Sequence, residues 1–144
     1  MTYAEDCIFC KFAKHKIDTA IIFENKDVVA FLDNSPAGNL VGHTLVLPKK
    51  HYETIDKIPD KELGEVIKVI KILLPAITKI SGADGINVIQ NNGKAAGQAI
   101  PHAHFHIIPR KHGDGIYFDE KRRKSVPMEL VETAKAIKEE LTKQ

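Results

Sequence analysis

The chain has 144 residues, 43% apolar and 28% charged, with seven prolines and no tryptophan. That is enough for one domain with a real core, and too ordinary a balance for a disordered chain. A formal charge of +2 is too small to make nucleic acid or a membrane the main partner, because such binding needs a concentrated basic face.

Met1 to Asp6 lacks the basic-then-apolar pattern of a secretory leader, and the most apolar stretch, Val66 to Ile80, is broken by lysines and Pro75. A cytoplasmic protein is expected. In that reducing compartment Cys7 and Cys10, the two cysteines, read as thiols or metal ligands rather than a disulfide. Thr19 to Glu24 and Val28 to Leu32 read as strands of a hairpin around the turn residues Asn25 to Asp27. Asp33 to Gly42 reads as a loop and Thr44 to Leu47 as an apolar strand stopped by Pro48. Leu63, Ile67, Ile70, Leu74 and Ile77 recur at spacings of three and four between Asp60 and Ser81, predicting an amphipathic helix kinked at Pro75. Ile86 to Gln90 and Ala103 to Ile108 read as strands joined by the polar stretch Asn91 to Gln98. Lys121, Arg122, Arg123 and Lys124, beside Asp119 and Glu120, read as a solvated loop, with a nucleic-acid patch as the lesser reading. A last helix, about 127–142, follows Pro127 with Leu130, Ala134, Ile137 and Leu141 on one face. Strands first, then a long helix, more strands and a terminal helix give class α+β, an antiparallel sheet with helices packed on it in a single domain over 1–144.

The chemistry concentrates in His102-Ala103-His104-Phe105-His106. Side chains alternate along a strand, so the three imidazoles line one surface while Ala103, Phe105 and Ile107 line the other. One histidine there would read as a solvated strand face; three in strict alternation argue for chemistry. At a rise of about 3.3 Å per residue, His102 and His106 start about 13 Å apart, too far for one metal ion to collect all three from a flat strand. Separate jobs in one pocket follow, and a neutral imidazole is a competent nucleophile toward phosphorus.

Asn91 and the run Gly97-Gln98-Ala99-Ile100-Pro101-His102-Ala103-His104-Phe105-His106-Ile107-Ile108-Pro109-Arg110 resemble the signature of the histidine triad family. Cys7-Ile8-Phe9-Cys10, Phe31-Leu32-Asp33-Asn34-Ser35-Pro36 and Gly42-His43-Thr44-Leu45-Val46-Leu47-Pro48-Lys49-Lys50-His51 resemble its branch that hydrolyses purine nucleoside phosphoramidates and related nucleotides. The similarity covers most of 7–110. It implies a sheet of about five strands with one long and one C-terminal helix, a purine nucleotide substrate, and a homodimer in which the sheets join and the long helices pack.

By the same resemblance His104 is the nucleophile, forming a nucleotidyl-histidine that water then hydrolyses, with a main-chain carbonyl of the motif fixing its tautomer. His106 binds the phosphoryl oxygens, and Gln98 and Asn91 orient the phosphate, where fixed donors meet developing charge. Gly97 and Gly93 allow close approach of the chain to a phosphate, although an ordinary wide connection would also use them. Asp33, with Asn34 beside it, accepts hydrogen bonds from ribose hydroxyls. Phe9 and Phe12 are walls around the base or, equally, core residues. His43 reads as a hydrogen-bonded core residue rather than a catalytic one. Some members close a zinc site with the two cysteines, the histidine after Pro-Lys-Lys and the first triad histidine, here Cys7, Cys10, His51 and His102. Such a filled Cys₂His₂ shell is structural and takes His102 out of proton transfer. Unmetallated thiols are the alternative; a redox pair lacks its βαβ context. Where many phosphoramidate-cleaving members carry serine, this chain has Ala99, so amine leaving groups lose a helper and anhydrides come forward. The rival reading is a nucleotide-binding or scaffold protein that turns over slowly.

Overall fold

The computed structural model describes residues 3–118 and 122–144. Cys7 opens a short helix, Ile8–Ala13 (α1), its Sγ accepting the N–H of Cys10 at 3.5 Å. The expected hairpin follows as Ile21–Glu24 (β1) and Val28–Leu32 (β2), and Asn25 Oδ1 closes its turn by accepting from Asp27 and Val28 N–H at 2.9 and 2.8 Å. β1 starts two residues later than expected, where a shift of register between Ile21 and Phe23 disturbs the pairing. Thr44–Pro48 (β3), the helix Asp60–Ser81 (α2), Gly85–Gln90 (β4), Phe105–Arg110 (β5) and Pro127–Leu141 (α3) complete the element order. The sheet is antiparallel with order β1-β2-β3-β5-β4, and the class is α+β.

The two faces of the sheet bury different things. α2 lays Val66, Val69, Ile70, Leu73 and Ile77 on Val28, Ala30, Val46, Phe105 and Ile107. Each fully buried aliphatic side chain of this layer contributes about 1.5–3 kcal/mol. The stripe read from the sequence is rotated: Ile67 is exposed and Leu63 and Leu74 are only partly buried. Ile70 and Ile77 of the expected stripe are buried, joined by Val66, Val69 and Leu73, which share the same three-and-four spacing one position over, so the buried face straddles two apolar stripes. α2 runs through Pro75 as one element and ends at Gly82, whose φ is 69°.

On the other face α1 buries Phe9, Cys10, Phe12 and Ala13 against Val29, Phe31, Leu45 and Leu47. This helix has no counterpart in the sequence reading, although Phe9, Phe12 and Ala13 carry a helical spacing. α3 corrects the expectation that both helices pack on the sheet, since no residue of α3 is buried and Leu130, Ile137 and Leu141 are exposed. Arg122, Arg123 and Lys124 are exposed, as expected for a solvated connection, and Arg123 pairs with Glu129 at the start of α3. Asp119, Glu120 and Lys121 of that cluster, and Met1 and Thr2, lie outside the described residues. No helix among the described residues is long and apolar enough to cross a membrane.

Candidate functional site

β5 begins at Phe105 rather than Ala103, so His102 and His104 stand in the irregular approach to the strand and only His106 lies within it. The alternation holds on one side: Phe105 and Ile107 point under α2. On the other side the triad divides. His104 and His106 are neighbours, with ring centroids 5.0 Å apart. His102 turns to the cysteines and His51, its ring 5.0 Å from that of His51.

Hydrogen bonds to the backbone assign a tautomer to His104, His102 and His43, and through His43 to His106. His104 Nδ1–H donates to the carbonyl of His102 at 2.7 Å, so its Nε2 keeps the lone pair. His102 Nε2–H donates to the carbonyl of Pro48 at 2.8 Å, so its Nδ1 is free to ligate. His43 Nδ1 accepts the N–H of Ala37 at 2.8 Å. The proton of neutral His43 therefore sits on Nε2, which donates to His106 Nδ1 at 3.0 Å. His106 consequently carries its own proton on Nε2. His43 is buried, as expected of a core residue, yet it touches His106 directly and thus belongs to the site. Its contact spans 63 positions of sequence, beyond the reach of any local motif.

Burial keeps these rings neutral by penalising the charged form. It lowers the pKa of His43 and of His104, and it takes His106 to about 4 together with the nearby His104 and His43. His102 is likewise pushed down to about 4 by burial.

The cleft beside His104 and His106 encloses about 290 Å³ and is lined by Phe9, Phe12, Phe31, Leu32, Asp33, Asn34, Ser35, Leu45, Ala99 and Ile100. Phe9 stands edge-on to His104 with centroids 5.0 Å apart, so the two phenylalanines are at once core residues and cleft walls. Asp33 Oδ1 accepts the N–H of Ser35 at 2.8 Å, and its Oδ2 lies 3.5 Å from His43 Nε2.

Gln98 is buried, and its amide is used by the backbone: Oε1 accepts from Gly93 N–H at 2.7 Å, and Nε2 donates to the carbonyls of Glu53 and Ile100 at 2.7 and 3.1 Å. Both of its donor hydrogens are taken, which makes Gln98 a brace for the segment 93–100 rather than a group aimed at a phosphate. Gly93 and Gly97, with φ of 85° and 87°, flank the single turn Lys94–Ala96 that this brace holds. Asn91 lies beside Gly97, its Nδ2 3.7 Å from where a Cβ would stand, and is absent from the cleft lining.

Cys7 Sγ and Cys10 Sγ each lie 3.5 Å from His102 Nδ1, and Cys10 Sγ lies 3.5 Å from His51 Nδ1. The four ligand atoms are all within 4.8 Å of one another. Tetrahedral zinc with Zn–S near 2.3 Å and Zn–N near 2.0 Å separates sulfur from nitrogen by about 3.5 Å, so this donor set fits the ion. Burial raises the Cys10 thiol to about 11, so a bound ion would have to displace a firmly held proton, and metal binding here would release protons. The set would leave no open coordination position, and the ion would supply structure, tying α1 to the triad.

The HIT domain family matches residues 14–113 of the chain. The uncharacterized HIT-like protein MJ0866 of Methanocaldococcus jannaschii is 46% identical over 134 residues, covering 92% of this chain and 98% of that protein. Adenylylsulfatase HINT3 of Arabidopsis thaliana is 36% identical over 85% of this chain and 61% of its own length. Adenosine 5'-monophosphoramidase HNT1 of Saccharomyces cerevisiae is 41% identical over 73% of this chain and 63% of that protein. Among solved structures, SMU.412c of Streptococcus mutans superimposes with a TM-score of 0.90 at 34% identity, covering 97% of this chain and 88% of that one. With the divided triad, the cleft and these similarities in agreement, the chain belongs to the histidine triad family.

Proposed function

We propose that this protein hydrolyses purine nucleotides at the α-phosphorus through a covalent intermediate on His104. The observation that carries the reading is the His104 tautomer: the His102 carbonyl holds Nδ1–H at 2.7 Å, leaving Nε2 as an unprotonated nucleophile at the cleft. The Nε2 lone pair forms a bond to phosphorus as the bond to the leaving group breaks, and that group departs with the electron pair. Water then attacks the same phosphorus, the P–N bond breaks with its electrons returning to Nε2, the proton lost by the attacking water passes to solvent, and a nucleoside monophosphate is released. His106 Nε2–H offers a fixed donor to the phosphoryl oxygens, on which charge grows during both steps. Asp33 accepts from the ribose, and Phe9 and Phe12 flank the base.

The absence of a hydroxyl at Ala99, which lines the cleft, favours leaving groups that need little protonation. The substrates are then adenylyl anhydrides, of which the sulfate anhydride named for the Arabidopsis relative is one, ahead of phosphoramidates. A structural zinc on Cys7, Cys10, His51 and His102 and a homodimer joined through the sheet-edge strand β4, where Val88 is exposed, complete the reading.

The test is steady-state hydrolysis of adenosine 5'-phosphosulfate, an adenosine phosphoramidate and diadenosine polyphosphates by wild type and His104→Ala, with rapid-quench mass spectrometry of the protein. A nucleotidyl adduct and turnover that both vanish in the variant support the enzyme. Binding with neither adduct nor turnover in wild type replaces it with a nucleotide-binding protein.

A further inference from the structure

The loop that carries Asp33 and presents Ala37 N–H to His43 is poorly anchored by itself. Asn34, Ser35, Pro36, Gly38 and Asn39 are all exposed, and its own fastenings are the Ser35 and Ala37 bonds and the Asp33 N–H to the His43 carbonyl at 2.9 Å. Support comes from beyond the triad. Arg110, the last residue of β5, holds Asp114 bidentately through Nε at 2.7 Å and an η nitrogen at 2.9 Å. Its guanidinium also donates to Asn87 Oδ1 on β4 at 2.7 Å and to the Ile116 carbonyl at 2.8 Å. Asp114 in turn accepts the backbone N–H of Lys111 and of Ile116 at 3.1 and 3.0 Å. The Asp114 carboxylate and the Nε and one η nitrogen of Arg110 fix the turn 111–116, the other η nitrogen ties the clasp to β4, and the turn delivers one side chain to the loop. Ile116 Cδ1 rests on Gly38, so closely that a Cβ added there would meet it at 2.6 Å. Gly38 has φ of +72°, a backbone that glycine adopts without cost, so its missing side chain makes both the turn and the seat.

We propose that Ile116, clasped by Arg110 and Asp114, is a positioning residue of the active site: seated on Gly38, it holds the Ala37 N–H against His43 and so sets the proton order of the His43–His106 pair. Arg110 lies within the family match, and Asp114 and Ile116 lie just past its end at residue 113. The line of contact runs Asp114, Arg110, Ile116, Gly38, Ala37, His43, His106. Loosening it at Ile116 lets Ala37 N–H leave His43 Nδ1. The His43 proton then distributes over both ring nitrogens, and His106 no longer receives a fixed donor on Nδ1. Its own Nε2–H ceases to be assured, so transition-state stabilisation falls while the base and ribose contacts remain.

The catalytic meaning rests on the function proposed above; the geometry is testable without it. Long-range ¹H–¹⁵N spectra of the histidine rings are recorded near neutral pH on the full-length wild type, Ile116→Ala, Ile116→Val and Asp114→Asn. Kinetics and thermal unfolding are measured on the same samples. The expected result is an Nε2–H pattern for His43 and His106 in wild type and averaged ring shifts for His43 in Ile116→Ala and Asp114→Asn. Turnover, kcat, should fall about tenfold with KM nearly unchanged. The valine variant, which loses only the Cδ1 methyl that rests on Gly38, should move both readouts in the same direction by a smaller amount. His43 ring signals in Ile116→Ala that superimpose on wild type overturn the proposal, whatever the stability of the variant. If wild type hydrolyses no nucleotide, the enzymatic reading fails by itself, and the ring spectra still decide whether Ile116 positions His43.

Discussion

Replacing Gln98 by alanine separates a brace from a phosphate ligand. The side chain makes three hydrogen bonds to the main chain, to Gly93 N–H and to the carbonyls of Glu53 and Ile100. Each is worth about 1 kcal/mol net, and each partner left without water adds to the loss, so Gln98→Ala should cost about 3 kcal/mol of stability. In a domain of this size that lowers the melting temperature by about 10 °C. Urea unfolding of both proteins supplies the free energy, and kcat and KM on an adenylyl anhydride supply the functional effect. Turnover should fall because the turn Lys94–Ala96 and Ala99 lose their support, and Gln98→Glu should rescue poorly, since a carboxylate cannot donate to the two carbonyls. A stability loss below about 0.5 kcal/mol combined with a large drop in kcat would refute this reasoning and return Gln98 to the phosphate.

Purified protein should carry one zinc per chain, and Cys10→Ser should lose the metal with a melting temperature about 5–10 °C lower; metal analysis of both proteins checks this, and unchanged zinc in the variant rejects the site. Acid should destabilise the fold. The pKa of His106 drops from 6.5 to about 4 on folding, mainly through burial, so the unfolded chain binds the extra proton first. Stability contributed by the neutral ring is complete above about pH 6.5 and is lost as pH falls toward 4. Denaturation midpoints across that window should decline, and His106→Asn should flatten the decline.

The alternation of histidines with Ala103, Phe105 and Ile107 announced a sheet with one chemical and one apolar face, because strand geometry ties side-chain direction to position parity alone. α1 was illegible because six residues give too short a window for periodicity, and its opening residue, Cys7, is not among the usual caps. α2 was legible as a helix and its buried face only in part: Ile70 and Ile77 were anticipated, while Leu63, Ile67 and Leu74 offered the sheet a second apolar choice over Val66, Val69 and Leu73. Gln98 shows another kind of limit: its residue type advertises donors and an acceptor, and only the fold reveals that Glu53, 45 positions away, has taken one of them. The same holds for His43, whose burial could be anticipated from an apolar strand but whose partner His106 could not.

β4 and β5 are matched over six residues, from Gly85↔Arg110 to Gln90↔Phe105. Because successive side chains exchange faces, inserting one residue into the first half of β5 would rotate His106 beneath α2 and turn an aliphatic ring-neighbour into the cleft, inverting the protein's inside and outside at a stroke. Two inserted residues would restore the sides but displace the chemistry along the sheet by about 7 Å. β4 contributes no atom to the cleft lining, yet it acts as the ruler against which the triad is set, and the length of β5 is thereby quantised in ways its neighbouring loops are not.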